Sequence, residues 1–337
     1  MKIVIDDKIP FIRGVFEPYA ETVYAPGGTF TADTVREADA LIIRTRTICN
    51  EALLAGSRVR MIATATIGYD HIDTAYCRRA GIEVATAAGC NARGVLQWVF
   101  AALETLGVRP EGTTLGIVGV GHVGEAVREA AVAAGFDVVC CDPPRVRRGE
   151  LGTERFVALK ELLERADVVT LHVPLDETTR EMASEAFFAA AKRGVVFLNS
   201  SRGEVVHETA LKQALRSGRV SRAALDVWPH EPLIDRELLD LTTIATPHVA
   251  GYSLQGKAMG TAMAVRAVAA FLGLPIAEDW YPAEAPERHP RRGLSWEEIT
   301  AGMARHYDIR TDDTALRAAP ERFEELRGDY RFRPEFF

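Results

Sequence analysis

Short apolar segments rich in β-branched residues alternate along the whole chain with longer stretches of helical periodicity. This alternation predicts parallel sheets covered by helices, which is an α/β fold. A first series of predicted strands comprises KIVI (2–5), VY (23–24), LII (41–43), MIATA (61–65) and EVA (83–85). A second series comprises TLGIV (114–118), DVVCC (137–141), DVVTLHV (167–173), VVFLN (195–199), AALD (223–226) and IAT (244–246). Six strands are the number expected of a dinucleotide-binding fold.

Two largely apolar helical segments, residues 94–107 and about 254–272, flank the second series. Since they carry few charges, we expect both to be buried between domains. The chain of 337 residues is then predicted to leave a first domain, build a second and return to the first. The predicted parts are a discontinuous domain of 1–92 and 255–285, an inserted domain of 93–254, and a C-terminal segment of 286–337, in which Ser295 and Glu298 have the spacing of a capping box.

Composition and charge narrow the class of protein. Hydrophobic residues at 47% and charged residues at 26% are ordinary for a soluble globular protein, and the net charge of −7 argues against a nucleic-acid partner. The N-terminal MKIVIDDKIP fits neither a secretory signal nor a transit peptide, and no stretch approaches the ~18 apolar residues of a membrane span. The five cysteines have no metal-type spacing, so we expect no metal site and reduced thiols in a cytoplasmic protein.

A glycine pattern lies between the first strand of the second series and the helical stretch that follows it. Gly119, Gly121 and Gly124, with His122 and Val123 between the last two, form the spacing G-x-G-x-x-G in the strand-to-helix context that a dinucleotide site requires. Glycines here let the turn tighten and let a pyrophosphate approach the N–H groups at the start of the helix.

Asp142 follows the next apolar strand, eighteen residues after Gly124. A carboxylate at this point can accept hydrogen bonds from the hydroxyls of the adenosine ribose, and it would repel a ribose 2′-phosphate. The pattern therefore predicts NAD as the cofactor. Arg145, three residues further on, keeps NADP open as the alternative.

Three ionisable residues follow successive strands of the second series: Arg202 after VVFLNSS, Glu231 after AALDVWPH and His248 after IATP. The carboxyl ends of parallel strands meet at one edge of a sheet, so we expect these side chains to converge. An imidazole, with an ordinary pKa of about 6.5, can exchange a proton with an alcohol. A carboxylate can orient that ring, and a guanidinium can bind a substrate carboxylate bidentately. Each residue alone has a structural alternative, but together, behind the glycine pattern, they favour a dehydrogenase of 2-hydroxy acids.

At these residues the chain resembles the D-isomer-specific 2-hydroxyacid dehydrogenase family, whose catalytic Arg, Glu and His match Arg202, Glu231 and His248. The resemblance implies a Rossmann-type NAD domain inserted into a flavodoxin-like catalytic domain, followed here by a short C-terminal dimerisation segment. A narrower likeness, to family members that oxidise a small phosphorylated 2-hydroxy acid, rests on the segments DDKIPF, RTRT, ATATIGYDHID, AAGCNARGV, GIVGVGHVG, CDPPR, SSRGEVV, LDVWPHEP, TPHVAGYSLQGKA and YDIRTDD.

The resemblance also implies residue roles. On the cofactor side the matching positions are Gly119, Gly121, His122, Val123, Gly124, Asp142, Thr170, Ser200, Ser201, Arg202, Asp226 and Gly251. On the substrate side they are Thr45, Thr66 and Tyr252. Asp226 also has a rationale of its own, because a strand-end carboxylate can accept from the nicotinamide amide; the alternative is a structural cap.

The phosphate contacts and the function as a whole each have alternatives. Arg44 and Arg46 are candidates for the substrate phosphate on charge grounds alone, the alternative being a solvated basic strand end. For the function as a whole, the alternatives are another dehydrogenase of the family, acting on phosphoglycerate or glyoxylate, and a non-enzymatic NAD-sensing protein of the corepressor type. We expect a homodimer, since the closing RFRPEFF is the kind of apolar patch that finds a partner surface.

Overall fold

The computed structural model describes residues 1–150, 152, 156–286 and 291–336. In these residues eleven strands form two sheets in which every pairing is parallel. The strands are β1 Lys2–Asp6, β2 Glu21–Ala25, β3 Ala40–Ile43, β4 Met61–Thr64, β5 Glu83–Thr86, β6 Thr114–Val118, β7 Asp137–Cys141, β8 Val168–Leu171, β9 Val195–Asn199, β10 Val220–Leu225 and β11 Ile244–Ala245. The predicted α/β class is confirmed.

The helices of the described residues are α1 Ala32–Val35, α2 Glu51–Leu54, α3 Thr74–Arg79, α4 Ala92–Thr105, α5 His122–Ala134, α6 Pro143–Arg147, α7 Leu159–Arg165, α8 Glu185–Ala190, α9 Glu208–Arg216, α10 Arg236–Leu241, α11 Leu254–Leu272, α12 Trp296–His306, α13 Ile309–Ala318 and α14 Phe323–Gly328. Short 3-10 turns lie at Gly27–Thr29, Gly203–Val205 and Pro320–Arg322. The capping box predicted at Ser295 and Glu298 begins α12. Among the described helices, none has the length and apolar character needed to cross a membrane.

By contacts the chain divides into two compact units, Met1–Asn91 with Ser253–Arg288, and Ala92–Tyr252 with His289–Phe337. Of the predicted C-terminal segment, residue 286 groups with the first unit and residues 291–336 group with the second; residues 287–290 and 337 lie outside the described residues. The predicted substrate and cofactor roles of the units, and dimerisation through 286–337, stay predictions.

The sheet of the first unit has the strand order β2-β1-β3-β4-β5, which is the flavodoxin-like order. Its central strands are buried on both faces, as the continuous apolar runs of β3 and β4 predict. Helix α11 covers one face through a row that includes Ala264, Val265 and Val268. Gly260 lets this helix approach β4, because a Cβ at that position would lie 2.6 Å from the carbonyl oxygen of Ala65.

The sheet of the second unit has the order β11-β10-β9-β8-β6-β7. Strand β6 lies between β7 on one side and β8 on the other, so the direction in which successive strands are added to the sheet reverses at β6. In such a sheet a crevice opens beyond the carboxyl ends of the strands at the point of reversal. Helix α4, eleven of whose residues are buried, packs against α5 and α12 on one face of this sheet, where Phe100, Phe136 and Trp296 form an aromatic cluster.

Candidate active site

The predicted dinucleotide loop leads from β6 directly into α5. Gly119 has a φ of +85°, and a Cβ built on it would lie 2.7 Å from the carbonyl oxygen of His172, so only glycine fits there. A Cβ on Gly124 would lie 2.0 Å from the carbonyl oxygen of Gly119, which explains the tightness of the turn. At Gly121, the N-cap of α5, an added Cβ would meet no described atom within 4 Å. Open backbone at the start of a thirteen-residue helix fits a bound pyrophosphate.

Asp142 connects the ends of β6 and β7. Its Oδ2 accepts from the N–H of Val120 at 2.8 Å, and its Oδ1 accepts from the N–H of Arg145 at 3.0 Å and so caps α6. Two carboxylate oxygens have lone pairs beyond these two bonds, so acceptance from a ribose hydroxyl remains chemically open.

The Arg145 guanidinium is engaged by neighbouring acids. It pairs with Glu150 at 2.7 Å and with Glu125 at 3.3 Å, and it donates to the carbonyl oxygen of Val120 at 2.7 Å. A ribose 2′-phosphate would therefore meet the charges of Asp142, Glu125 and Glu150 around a cation that is already neutralised. This arrangement favours NAD over NADP.

His248 and Glu231 lie in direct contact in the second unit. Nδ1 of His248 is 2.7 Å from Oε2 of Glu231, and the other carboxylate oxygen accepts from the N–H of Trp228 at 2.9 Å. Burial by itself would raise the pKa of Glu231, but the charge and hydrogen bond of His248 and the Trp228 N–H outweigh burial and leave that pKa below its ordinary value. With the proton on Nδ1 shared with an ionised carboxylate, Nε2 is the ring nitrogen that can exchange a proton with a substrate.

The turn after β9 carries Arg202. The side-chain oxygen of Asn199 accepts from the N–H and the hydroxyl of Ser201 at 3.0 and 2.7 Å, and its amide donates to the carbonyl oxygen of Arg202 at 2.9 Å. The guanidinium donates to the carbonyl oxygen of Ser201 at 2.7 Å. Asn199, which the sequence reasoning missed, thus shapes the turn. Within the described residues, the buried hydroxyl of Ser200 has no hydrogen-bond partner, which fits its predicted place beside a cofactor.

Asp226 is almost completely buried at the end of β10 and faces the loop that carries His248. Its Oδ1 accepts from the N–H of Val249 at 2.8 Å and the hydroxyl of Thr246 at 2.6 Å, and its Oδ2 accepts from the N–H of Ala250 at 2.9 Å. Burial raises the pKa of this carboxyl. The structure gives Asp226 a role in holding the loop of residues 246–252, which we call the histidine loop. Its role toward the nicotinamide stays a prediction.

Thr246 was not singled out from the sequence, yet two tryptophans hold it. Its hydroxyl accepts from the indole N–H of Trp98 at 2.9 Å, and its carbonyl oxygen accepts from the indole N–H of Trp228 at 3.0 Å. Because the same hydroxyl donates to Asp226, the start of the histidine loop is tied to α4, to β10 and to the segment before Glu231. Tryptophan N–H groups need such partners when buried, but the sequence does not reveal which acceptor they find.

The remaining positions predicted in the second unit lie near the same strand ends. The fully buried hydroxyl of Thr170 is 3.0 Å from Nε2 of His172, whose pKa burial lowers to about 3, so that ring is neutral. Gly251 lies in the histidine loop, where the N–H of Tyr252 donates to the carbonyl oxygen of Val249 at 2.9 Å. His122 and Val123 form the first turn of α5.

In the first unit, Thr45 and Thr66 follow β3 and β4, which are neighbours in the sheet. The hydroxyl of Thr66 lies 2.7 Å from that of Thr64 and donates to the carbonyl oxygen of Gly68 at 3.2 Å, whereas Thr45 is exposed. Arg44 pairs with the fully buried Asp6 at 3.1 Å, and Arg46 is exposed at the same edge. This edge of the sheet therefore presents hydroxyls and guanidinium groups together.

Comparison with known proteins agrees with this geometry. Residues 91–250 match the family described as D-isomer specific 2-hydroxyacid dehydrogenase, NAD binding domain. Erythronate-4-phosphate dehydrogenase of Bacteroides fragilis is 47% identical, over 99% of this chain and 97% of the relative. The protein of that name from Edwardsiella ictaluri is 40% identical, over 100% of this chain and 93% of its own length.

Among solved structures, the NAD⁺-bound 3-phosphoglycerate dehydrogenase of Entamoeba histolytica is similar to this chain with a TM-score of 0.68 and 26% identity, over 81% of this chain and 95% of that one. The family match and these relatives establish an NAD-dependent dehydrogenase, as predicted. The chain belongs to the D-isomer-specific 2-hydroxyacid dehydrogenase family, within its group of erythronate-4-phosphate dehydrogenases.

Proposed function

We propose that this enzyme oxidises 4-phospho-D-erythronate at C2 to 2-oxo-3-hydroxy-4-phosphobutanoate, a reaction of pyridoxal 5′-phosphate biosynthesis. The substrate follows from the name of relatives that are 39–47% identical over nearly the whole chain. The observation that carries the chemistry is the 2.7 Å contact between His248 and Glu231, since it supplies an oriented proton acceptor for an alcohol.

Each residue of the second unit has one task in this proposal. Nε2 of His248 accepts the proton of the C2 hydroxyl as the C2–H bond breaks. Glu231, which is ionised because its pKa is lowered, stabilises the imidazolium that forms. Arg202 binds the substrate carboxylate and holds C2 in place. NAD, held through the loop from Gly119 to Gly124 and through Asp142, supplies when bound the acceptor for the hydride that leaves C2.

The substrate phosphate requires cations of its own, for which we propose Arg46 together with Arg44. The guanidinium of Arg44 pairs with buried Asp6 at 3.1 Å, and Arg46 is an exposed residue shortly after the end of β3. Arg46→Ala should raise the KM for 4-phosphoerythronate far more than the KM for unphosphorylated erythronate. Arg60→Ala, an exposed arginine of the same unit that precedes β4, is the matched control. An equal effect of Arg46→Ala on the KM values of both substrates would contradict the proposal that Arg46 binds the substrate phosphate.

The decisive experiment incubates the purified enzyme with 4-phosphoerythronate and follows reduced nicotinamide, with an added 2-oxo acid in a parallel sample in case the cofactor stays bound and is reoxidised in place. 3-Phosphoglycerate and glycolate serve as competing substrates. His248→Asn should abolish turnover and leave NAD binding intact. A preference for 3-phosphoglycerate, or normal turnover by the variant, would contradict the proposal. Binding of NAD with no turnover of any 2-hydroxy acid would favour the sensor alternative.

We also propose a homodimer, on the ground of the family resemblance, and a cytoplasmic location, on the ground of the cysteine usage. Sedimentation equilibrium of the full chain, whose monomer mass is 36.9 kDa, tests the dimer, and cell fractionation tests the compartment. A monomer at all concentrations would contradict the first part.

A further inference from the structure

The backbone directly after His248 is hydrogen-bonded on both sides. On one side Asp226 accepts from the N–H groups of Val249 and Ala250. On the other side the guanidinium of Arg333 donates to the carbonyl oxygen of Val249 at 3.0 Å and to that of Ala250. The carboxylate of Asp226 and the guanidinium of Arg333 therefore bind the N–H and C=O groups of Val249 and Ala250, the two residues that follow the proposed proton acceptor His248.

Arg333 is itself fixed in the interior of the second unit, with 5% of its surface exposed. It donates to the carbonyl oxygen of Gly94 in α4 at 3.0 Å and to the hydroxyl of Tyr330 at 3.2 Å, and it lies 4.2 Å above the ring of Tyr307. Burying a guanidinium is costly unless its donors are satisfied. Nε of Arg333 has no partner among the described residues, whereas its two terminal nitrogens donate to carbonyl oxygens, two of which belong to the histidine loop. Much of the free energy that offsets its burial therefore comes from contacts that hold this loop.

The neighbours of Arg333 pack against Tyr252, the predicted substrate residue. The rings of Tyr330 and Phe332 lie 5.8 and 5.9 Å from the ring of Tyr252, both nearly perpendicular to it. The N–H of Arg333 also points to the carbonyl oxygen of Tyr252, at 3.4 Å. The C-terminal stretch 330–333 thus contacts Val249, Ala250 and Tyr252 of the histidine loop.

The backbone of His248 has a φ of +59°, a conformation that residues other than glycine adopt at a cost and keep only when their surroundings enforce it. We propose that Arg333 is a positioning residue for catalysis. It holds this conformation through the carbonyl oxygens of the loop, as Asp226 does through the N–H groups, so that the imidazole of His248 keeps its hydrogen bond with Glu231. The proposal rests on the acid–base role of His248 in the proposed function.

Arg333→Lys is the variant that tests the role, because an ammonium cannot donate to two carbonyls in the fixed geometry of a guanidinium. Arg317→Lys is its matched control. Arg317, in α13, also donates to two carbonyls, those of Leu239 and Thr242 at 2.9 and 2.6 Å, but these precede β11 instead of following His248. We expect Arg333→Lys to lower kcat by about tenfold or more with NAD affinity unchanged, since small displacements of reacting groups have effects of that size. We expect Arg317→Lys to keep kcat within about twofold.

A second readout does not depend on turnover. In protein labelled with ¹⁵N-histidine, the imidazole nitrogen shifts of His248, assigned by their absence in His248→Asn, report the contact with Glu231. Arg333→Lys should change these shifts, and Arg317→Lys should not. If Arg333→Lys retains both the wild-type shifts and kcat, the proposal is overturned.

Tyr330→Phe covers the case in which Arg333→Lys fails to bind NAD or to fold. It keeps the ring against Tyr252 and removes only the hydroxyl that contacts Arg333 and Asp312. A lower kcat with altered His248 shifts is expected, and an unchanged enzyme would overturn the proposal. If the wild type does not oxidise 4-phosphoerythronate, the proposed function fails, while the histidine shifts still decide whether Arg333 positions the loop.

Discussion

Gly203 lies against the main chain of Trp228 so closely that a Cβ on the glycine would be 2.0 Å from the carbonyl carbon of Trp228 and 2.1 Å from its oxygen. The turn that carries Arg202 is therefore in backbone contact with the segment that leads to Glu231. The N–H of Trp228 in turn donates to the carboxylate of Glu231. A single glycine thus sets the separation between the proposed carboxylate-binding guanidinium and the pair formed by Glu231 and His248.

Gly203→Ala should force these two segments apart, because the obstructing atoms are backbone and cannot rotate away. We expect a loss of stability of about 1–3 kcal/mol, as for overpacked interiors, and a fall in kcat of about a hundredfold from the displaced Arg202. Urea unfolding and steady-state kinetics measure the two effects. Gly328→Ala, at a position where an added Cβ meets no described atom within 4 Å, is the control that should change neither. A Gly203→Ala enzyme with normal kcat would mean that the spacing does not matter.

Glu231→Gln keeps the size of the side chain and removes its charge. A neutral amide supports an imidazolium less well than an ionised carboxylate does, so kcat should fall by about a hundredfold or more. The same change disfavours protonation of the ring, and the acidic limb of the pH–rate profile should therefore move to lower pH. Profiles of kcat against pH for wild type and variant check both effects. Glu208→Gln, which removes another partly buried carboxylate in an ion pair, should leave the limb in place. A limb unmoved by Glu231→Gln would contradict the pairing with His248.

Asp142→Asn tests the basis of cofactor choice. The amide oxygen of asparagine can keep one of the two backbone hydrogen bonds of Asp142, the one that caps α6, whereas the bond from the N–H of Val120 is lost together with the negative charge. Loss of that charge should raise the KM for NAD and bring the ratio of kcat/KM values for NAD and NADP closer to one. Asp235→Asn, at the N-cap of α10, controls for a weakened cap alone. An unchanged ratio would indicate that Glu125 and Glu150, rather than Asp142, reject the 2′-phosphate.

The local features of the fold could be predicted from the sequence because each depends on neighbours in the chain. Apolar runs placed the strands and α11, the glycine spacing placed the turn between β6 and α5, and the capping box placed the start of α12. The proximity of Glu231 and His248 could be predicted because parallel strands end at one edge of a sheet. Their actual contact, at 2.7 Å, required the structure.

Long-range relationships could not be predicted in this way. The closing RFRPEFF suggested an apolar patch for a partner, but Phe332 packs on Tyr252 and Phe336 stacks on His306 within the same unit. Arg333 binds carbonyl oxygens that lie 83 to 239 residues away in the chain. For Asp226, a carboxylate at a strand end fits both a cofactor contact and a structural cap, so no local pattern separates the two.

Asp312 gives the stability of the enzyme a specific pH dependence. It accepts from the hydroxyls of Tyr307 and Tyr330 at 2.9 and 3.1 Å, and burial raises its pKa to about 6 from the ordinary 3.8, although Arg333 opposes the rise. The folded protein therefore holds this proton more tightly than the unfolded chain. Its contribution to stability is full below about pH 4 and is lost as pH rises through about 6, by about 3 kcal/mol in all.

Asp312→Asn cannot titrate, so its free energy of unfolding should lack this component. Urea unfolding at intervals from about pH 4 to about pH 7 should show wild type losing stability relative to the variant as pH rises, because over this range the unfolded chain releases the proton first. Asp329→Asn, which changes an exposed carboxyl near the same C-terminal stretch, should parallel wild type. If wild type and Asp312→Asn run parallel across the range, the carboxyl of Asp312 is ionised throughout and the charge of Arg333 outweighs its burial.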